Sequence, residues 1–413
     1  DGTASGTMMV KDINNGSGDG DPQNFASVGN ILYFTANDSS NGHELWKSDG
    51  TASGTMMVKD INNGSDGILT CKYYDQSICY MSLAVIGNTF YFSANDSSNG
   101  HELWKSDGTA SGTMMVKDIN NGSDGILTCE GPDQSDCYMS LAVIGNTLYF
   151  SADNGTNGSE LWKSDGTTNG TMMVKDINSG SGSSSPDHLT AVGYTLYFAA
   201  NDGTNGTELW KSDGTASGTM MVKLINPTLW QDGDPQHLTA VGNTLYFAAT
   251  DGINGNELWK SDGTTSGTMM VKNIDPNGGG NPYKFVAVGN TVYFAGNDGT
   301  HGTELWKSDG TTNGTMMVKD IYSGYSGGLA GEIIAVGNTL YFAAQDNYII
   351  GFELWMSDGT TNGTVMVNDI NTIGSSLTGT NSGFPYELTV IGSQFSFTAD
   401  DGVNGRELWL GSL

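Results

Sequence analysis

Eight short segments of this chain, LTAVG and its variants, are nearly alike, yet the residue before each differs in charge and size. Aligned on that segment, the position holds Asn24, Ser82, Ser140, His188, His237, Lys284, Glu332 and Glu387. Two imidazoles, an ammonium and two carboxylates at one repeated position can bind a ligand or move protons. With Tyr283 beside them they include the paired carboxylates that glycoside hydrolysis uses. Trp230, Tyr283 and the other aromatics of the long loops can stack on sugar rings or anchor a protein partner. The plainer account is drift at an exposed loop position, and packing under long loops for the aromatics.

A second set of candidates recurs through the chain. Asp202, Asn205 and Glu208 share the form D-x-x-N-G-x-E with Asp251, Asn254 and Glu257, and with three further copies. Oxygen ligands concentrated in a glycine-rich turn suit Ca²⁺, so calcium is the one cofactor these residues suggest. Against it, Asp and Asn commonly cap their own turns by accepting backbone N–H groups. The glutamates themselves stand in eight equivalent copies. A general acid needs a singular environment, so their repetition points to hydrogen bonding inside each unit rather than to catalysis.

The elements that must carry these residues are read from the repeat. ELW occurs at Glu44, Glu102, Glu160, Glu208, Glu257, Glu304, Glu353 and Glu407, with the tryptophans 47 to 58 residues apart. A period in this range marks a repeat architecture. Within one copy, His237 to Ile274, four short runs rich in apolar, aromatic and β-branched residues are separated by Gly/Asn/Asp clusters, which read as strands joined by hairpins. Four strands in about 48 residues match one propeller blade. The expected fold is therefore all-β, a single eight-bladed β-propeller of four-stranded antiparallel blades over residues 1–413. DGTASGTMMVKDI at the start and ELWLGSL at the end are complementary halves of one module, so the N-terminal strand is expected to complete the last blade and close the ring. In such a ring the variable position stands at the mouth of the axial channel.

The motif ELWKSDGTASGT resembles the ELWxxDGT repeat of secreted bacterial proteins, and the resemblance covers essentially the whole chain. It implies a repeat fold and export, and it implies no catalytic residues.

Composition narrows the partners. The formal charge is −29, from 45 acidic and 16 basic side chains, and most lysines occupy repeat positions. No basic face can form, which argues against nucleic acid and anionic membranes. No run of about 20 apolar residues is present to span a bilayer. Cys71/Cys79 and Cys129/Cys137 form two C-x7-C pairs in loops inserted near 66–82 and 124–140. Two local disulfides are the simplest reading, and they place the chain in an oxidising, extracellular or cell-surface setting. The functional expectation is a secreted, non-enzymatic recognition or matrix module that binds polysaccharide or protein through its loop-rich face. A carbohydrate-active enzyme with its site at the channel mouth, and a self-assembling sheath, filament or surface-layer subunit, are the alternatives.

Overall fold

The computed structural model describes residues 9–412 apart from 17, 69–82, 127–128, 131–135, 138–139, 229–230, 326, 347–350, 372–382, 392–393 and 401–405. The described residues form strands and turns without a helix. Seven sheets of four antiparallel strands follow one another, each in simple up-and-down order. Sheets 1 to 7 open on the strands Gln23–Val28, Ala84–Ile86, Leu141–Ile144, Asp187–Val192, Gln236–Val241, Tyr283–Val288 and Leu329–Val336. Sheet 8 opens on Tyr386–Ile391 and has three described strands. The chain is thus all-β, with a propeller-like repeat architecture.

Sheet 5 shows why these residues make this unit. Gln236–Val241 turns into Thr244–Thr250 through Gly242-Asn243, a two-residue hairpin whose first central residue has φ 59. The second strand alternates between two cores. Leu245, Phe247 and Ala249 are fully buried on one face, while Tyr246 on the other joins Leu258 and Val271. That second group packs against Val292, Phe294 and Trp306 of sheet 6. The period of two along a strand therefore feeds each sheet into the cores on both of its sides.

The DGT turn after the third strand is closed by its own side chains. Asp262 Oδ1 accepts Thr264 N–H at 2.9 Å and Thr264 Oγ1 at 2.7 Å, and the Ser261 and Thr268 hydroxyls meet at 2.7 Å. Lysines then join consecutive sheets. Lys223 Nζ, at the end of a fourth strand, donates to Thr268 O at 2.8 Å and lies 5.7 Å over the Trp259 ring.

The chain divides into two compact units, residues 1–204 with 211–220, and residues 205–210 with 221–413. Cys71 and Cys79 lie outside the described residues. Cys129–Glu130 pairs antiparallel with Asp136–Cys137, setting Cys137 opposite Cys129 in the backbone register. The side chains of both cysteines lie outside what is described.

Candidate functional site

In five repeats the chain reaches the variable position through X-Pro-X-X: Asp21 to Asn24, Ser185 to His188, Asp234 to His237, Asn281 to Lys284 and Phe384 to Glu387. The residue before each proline has φ between 38 and 47. In the first four, the variable residue itself is left-handed: Asn24 at φ 55, His188 at 53, His237 at 55 and Lys284 at 55. The pairing with the second strand slips at the same place. Gln236 pairs with Ala248 but Thr239 with Tyr246, and Tyr283 pairs with Ala295 but Val286 with Tyr293. Each is a β-bulge, which takes the side chain out of the alternating pattern and re-aims it. Asn and His are among the non-glycine residues that most often take this conformation, whereas for Lys it costs about 1–3 kcal/mol.

The second unit brings four of the expected residues onto neighbouring first strands, those of sheets 5, 6 and 7. His237 is exposed, with its ring 6.5 Å from that of Tyr283 and 6.3 Å from that of Phe285. The half-buried Lys284 holds its ammonium 5.1 Å over the Tyr283 ring. Burial lowers the pKa of this ammonium below the usual lysine value, and the exposed Glu332 carboxylate pulls it back up. Burial also raises the Tyr283 phenol. The arrangement presents one partly desolvated cation at the edge of an aromatic wall, with a carboxylate that favours its charged state.

His188 belongs to the first unit, where its Nε2 lies 3.7 Å from Asp187 Oδ2. In the same unit the Ser140 hydroxyl accepts Leu189 N–H at 2.9 Å, so that copy of the variable position ties two sheets together. Ser82 and Trp230 lie outside the described residues, as does the side chain of Glu387.

The carboxylates expected to gather around calcium accept hydrogen bonds from the backbone and side chains around them. Asp251 Oδ1 accepts the N–H groups of Ile253 and Asn254, and its Oδ2 accepts Asn254 Nδ2 at 2.7 Å. Glu257 points away from that turn, its two oxygens accepting the N–H groups of Ile274, Asp275 and Gly280. Glu208 likewise takes Ile225 and Asn226, while Asp202 Oδ1 accepts Thr204 N–H. Asn205 follows in the same loop. Among the described residues no group of three or more His, Cys, Asp or Glu side chains is arranged to hold a metal ion.

Two features escaped sequence reasoning although both leave a trace in it. The recurrent proline two residues before the variable position announces the special backbone. In sheet 6, His301 stands where most repeats have Asn, and its Nδ1 lies 2.8 Å from Asp298 Oδ2.

No family model and no curated protein matches this chain. Among solved structures it is similar to puromycin hydrolase, at 11% identity and a TM-score of 0.42 over 94% of this chain and 59% of that one. It is similar to a prolyl endopeptidase at 13% identity and a TM-score of 0.44, over 80% of this chain and 49% of that one. A puromycin-hydrolyzing peptidase of Mycobacterium tuberculosis matches at 10% identity and a TM-score of 0.43, over 92% and 58%. This chain therefore spans between 49 and 59% of the length of these three proteins. By their names these three proteins are a hydrolase and two peptidases, which stands against the expected non-enzymatic recognition or matrix module.

Proposed function

We propose that this chain is the propeller part of an enzyme and that His237, Tyr283, Lys284 and Glu332 hold its substrate. One observation carries the reading: His237 and Lys284 sit in left-handed backbone at β-bulges, where glycine would be free of strain. Strain of this kind concentrates at functional sites. A partly desolvated lysine with a displaced pKa adds a second sign of the same sort. Lys284 supplies the positive charge for a carboxylate or a polarised carbonyl. Tyr283, Phe285 and His237 receive the planar or apolar group beside it, and Glu332 keeps the ammonium charged. The substrate class is a small acyl compound with a carboxyl or carbonyl oxygen next to an aromatic or bulky apolar group.

N-acetyl-phenylalanine and its p-nitroanilide are the probes. Saturation-transfer NMR should detect the acid on the wild-type protein, and Lys284→Met should weaken it at least about tenfold, the scale of a lost charge-assisted hydrogen bond. Turnover of the anilide should show a raised KM in the same variant. Equal binding by both proteins, or binding by neither, would remove the reading.

The finer architecture belongs to the same proposal: eight blades in one propeller, the last completed by the N-terminal strand. Lys11 supports it, because its Nζ donates to Thr55 O and lies 5.8 Å over Trp46, the role a fourth-strand lysine plays toward the next sheet elsewhere. The register of Cys137 opposite Cys129 supports a local disulfide, since opposed residues of an antiparallel pair have Cα atoms about 4.5–5.5 Å apart. With the disulfide goes an extracellular setting.

A further inference from the structure

The fourth strand of sheets 1 to 6 carries two adjacent methionines in opposite surroundings. Met56, Met114, Met172, Met220, Met269 and Met316, the first of each pair, are exposed to almost the same extent, 43 to 45%. The second of each pair is half-buried. The register sets it opposite the buried tryptophan of the third strand, Met57 opposite Trp46, Met173 opposite Trp162 and Met317 opposite Trp306. Met57, Met115, Met173 and Met317 also pack against hydrophobic cores.

The first methionine stands opposite a lysine instead. Met56 pairs with Lys47, Met114 with Lys105, Met172 with Lys163, Met269 with Lys260 and Met316 with Lys307. Side chains directly opposed in an antiparallel pair have Cβ atoms about 4.5–5.5 Å apart. The ammonium groups donate to a glycine carbonyl in the DGT turn of the next sheet, Lys105 to Gly166 O and Lys260 to Gly310 O, both at 2.8 Å. An ammonium carries three donors, so that bond leaves two for other acceptors. Sheets 1 to 6 keep both the methionine and the lysine. Sheet 7 has neither, because Met356 stands at the lysine position and Val365 opposite it.

We propose that the exposed methionines are an oxidant-consuming modification site, at which peroxides convert the thioethers to sulfoxides while the inner methionines are spared. The sulfur lone pair attacks one oxygen of hydrogen peroxide and the O–O bond breaks. The departing oxygen takes the proton of the transferred one and leaves as water, so sulfur is oxidised by two electrons and the peroxide is reduced. Oxidation turns an apolar side chain polar, which disrupts a core but not a side chain already facing water. The new oxygen is an acceptor, and the opposed lysine supplies a donor for it. The inner methionine, half-buried against the tryptophan, is reached less readily. This site is independent of the one proposed around Lys284, since it lies on fourth strands and not on first strands.

Mass mapping of the unaltered chain after a limiting dose of hydrogen peroxide tests it. Fragmentation between the two methionines of each MMVK segment shows which one carries the oxygen. The first should be oxidised at least about fivefold more than the second. When the first positions are saturated, Tm should stay within about 3 °C of the untreated value. A second measurement uses Met56→Leu with the matching change in the other five sheets, which keeps the apolar shape and removes the sulfur. At the same limiting dose that variant should carry at least about twice as much sulfoxide at the inner methionines. Oxygen shared evenly within the pairs, loss of cooperative unfolding at saturation, or equal inner oxidation in the variant would each overturn the inference.

Discussion

Lys117, at the end of a fourth strand, holds its ammonium 5.6 Å over the ring of Trp162 in the next sheet and donates to Thr171 O at 2.8 Å. The pair recurs as Lys59 with Trp104, Lys272 with Trp306 and Lys319 with Trp355. The tryptophan packs into the core of the sheet before it, Trp162 against Leu103 and Val116, while the lysine stem caps its outer face. One joint thus combines packing, a cation–π contact and a hydrogen bond.

Lys117→Met keeps most of the stem and removes the charge. It should cost about 1–2 kcal/mol, the sum of a partly shielded cation–π contact and one hydrogen bond. Urea unfolding would register this as a lower midpoint at unchanged slope. An unchanged midpoint would mean that packing alone makes the joint.

Gly166 lies in the DGT turn of sheet 3 at φ 83, where an added Cβ would run into Tyr91 Oη of the preceding sheet. Gly166→Ala combines left-handed backbone with a buried clash and should destabilise by about 2–4 kcal/mol. Gly180→Ala shares the positive φ, 102, but meets open space, so it should cost only about 1 kcal/mol. Equal losses in the two variants would show that the approach of Tyr91 is unimportant.

His237→Gly separates strain from chemistry. Glycine takes φ 55 without penalty, so the variant should be more stable by about 0.5–1 kcal/mol, less whatever the Tyr283 and Phe285 ring contacts contribute. The same variant should bind N-acetyl-phenylalanine more weakly. Lower stability combined with intact binding would argue that His237 is a packing residue.

His301 stands in for the asparagine of other repeats, since Asn254 Nδ2 meets Asp251 Oδ2 at 2.7 Å as His301 Nδ1 meets Asp298 Oδ2 at 2.8 Å. The hydrogen bond to Asp298, with its charge, raises the imidazole above its usual pKa. A raised folded value gives stability that is present below about pH 6.5 and lost as pH climbs through the folded value. His301→Asn should therefore match the wild-type Tm at pH 8.5 and fall short of it at pH 5.5. Equal values at both would show that the imidazole charge adds nothing.

Much of the scaffold was legible in the chain because its determinants are local. Gly242-Asn243 makes a hairpin whatever surrounds it, and Asp262-Gly263-Thr264 closes a turn with its own hydroxyl and carboxylate. The alternation of Leu245, Tyr246 and Phe247 announces a strand buried on both faces. Repetition multiplied these local signals until strands and sheets followed from the sequence alone. It also marked the variable position, and so singled out His237, Lys284 and Glu332.

Only the tertiary structure decided what those positions do. The D-x-x-N-G-x-E carboxylates look like one ligand set in the sequence, yet the bulged, twisted sheet sends Glu257 toward Ile274 and Gly280 while Asp251 stays in its turn. Which oxygens converge depends on side-chain direction across sheets, and a linear spacing does not carry that. The left-handed backbone at His237 and Lys284 was written faintly in Pro235 and Pro282, but the strain arises from pairing with the second strand. The displaced proton affinity of Lys284 likewise comes from neighbours far away in the chain. Burial and facing charge are properties of the packed sheets, so they emerge only when the sheets are assembled.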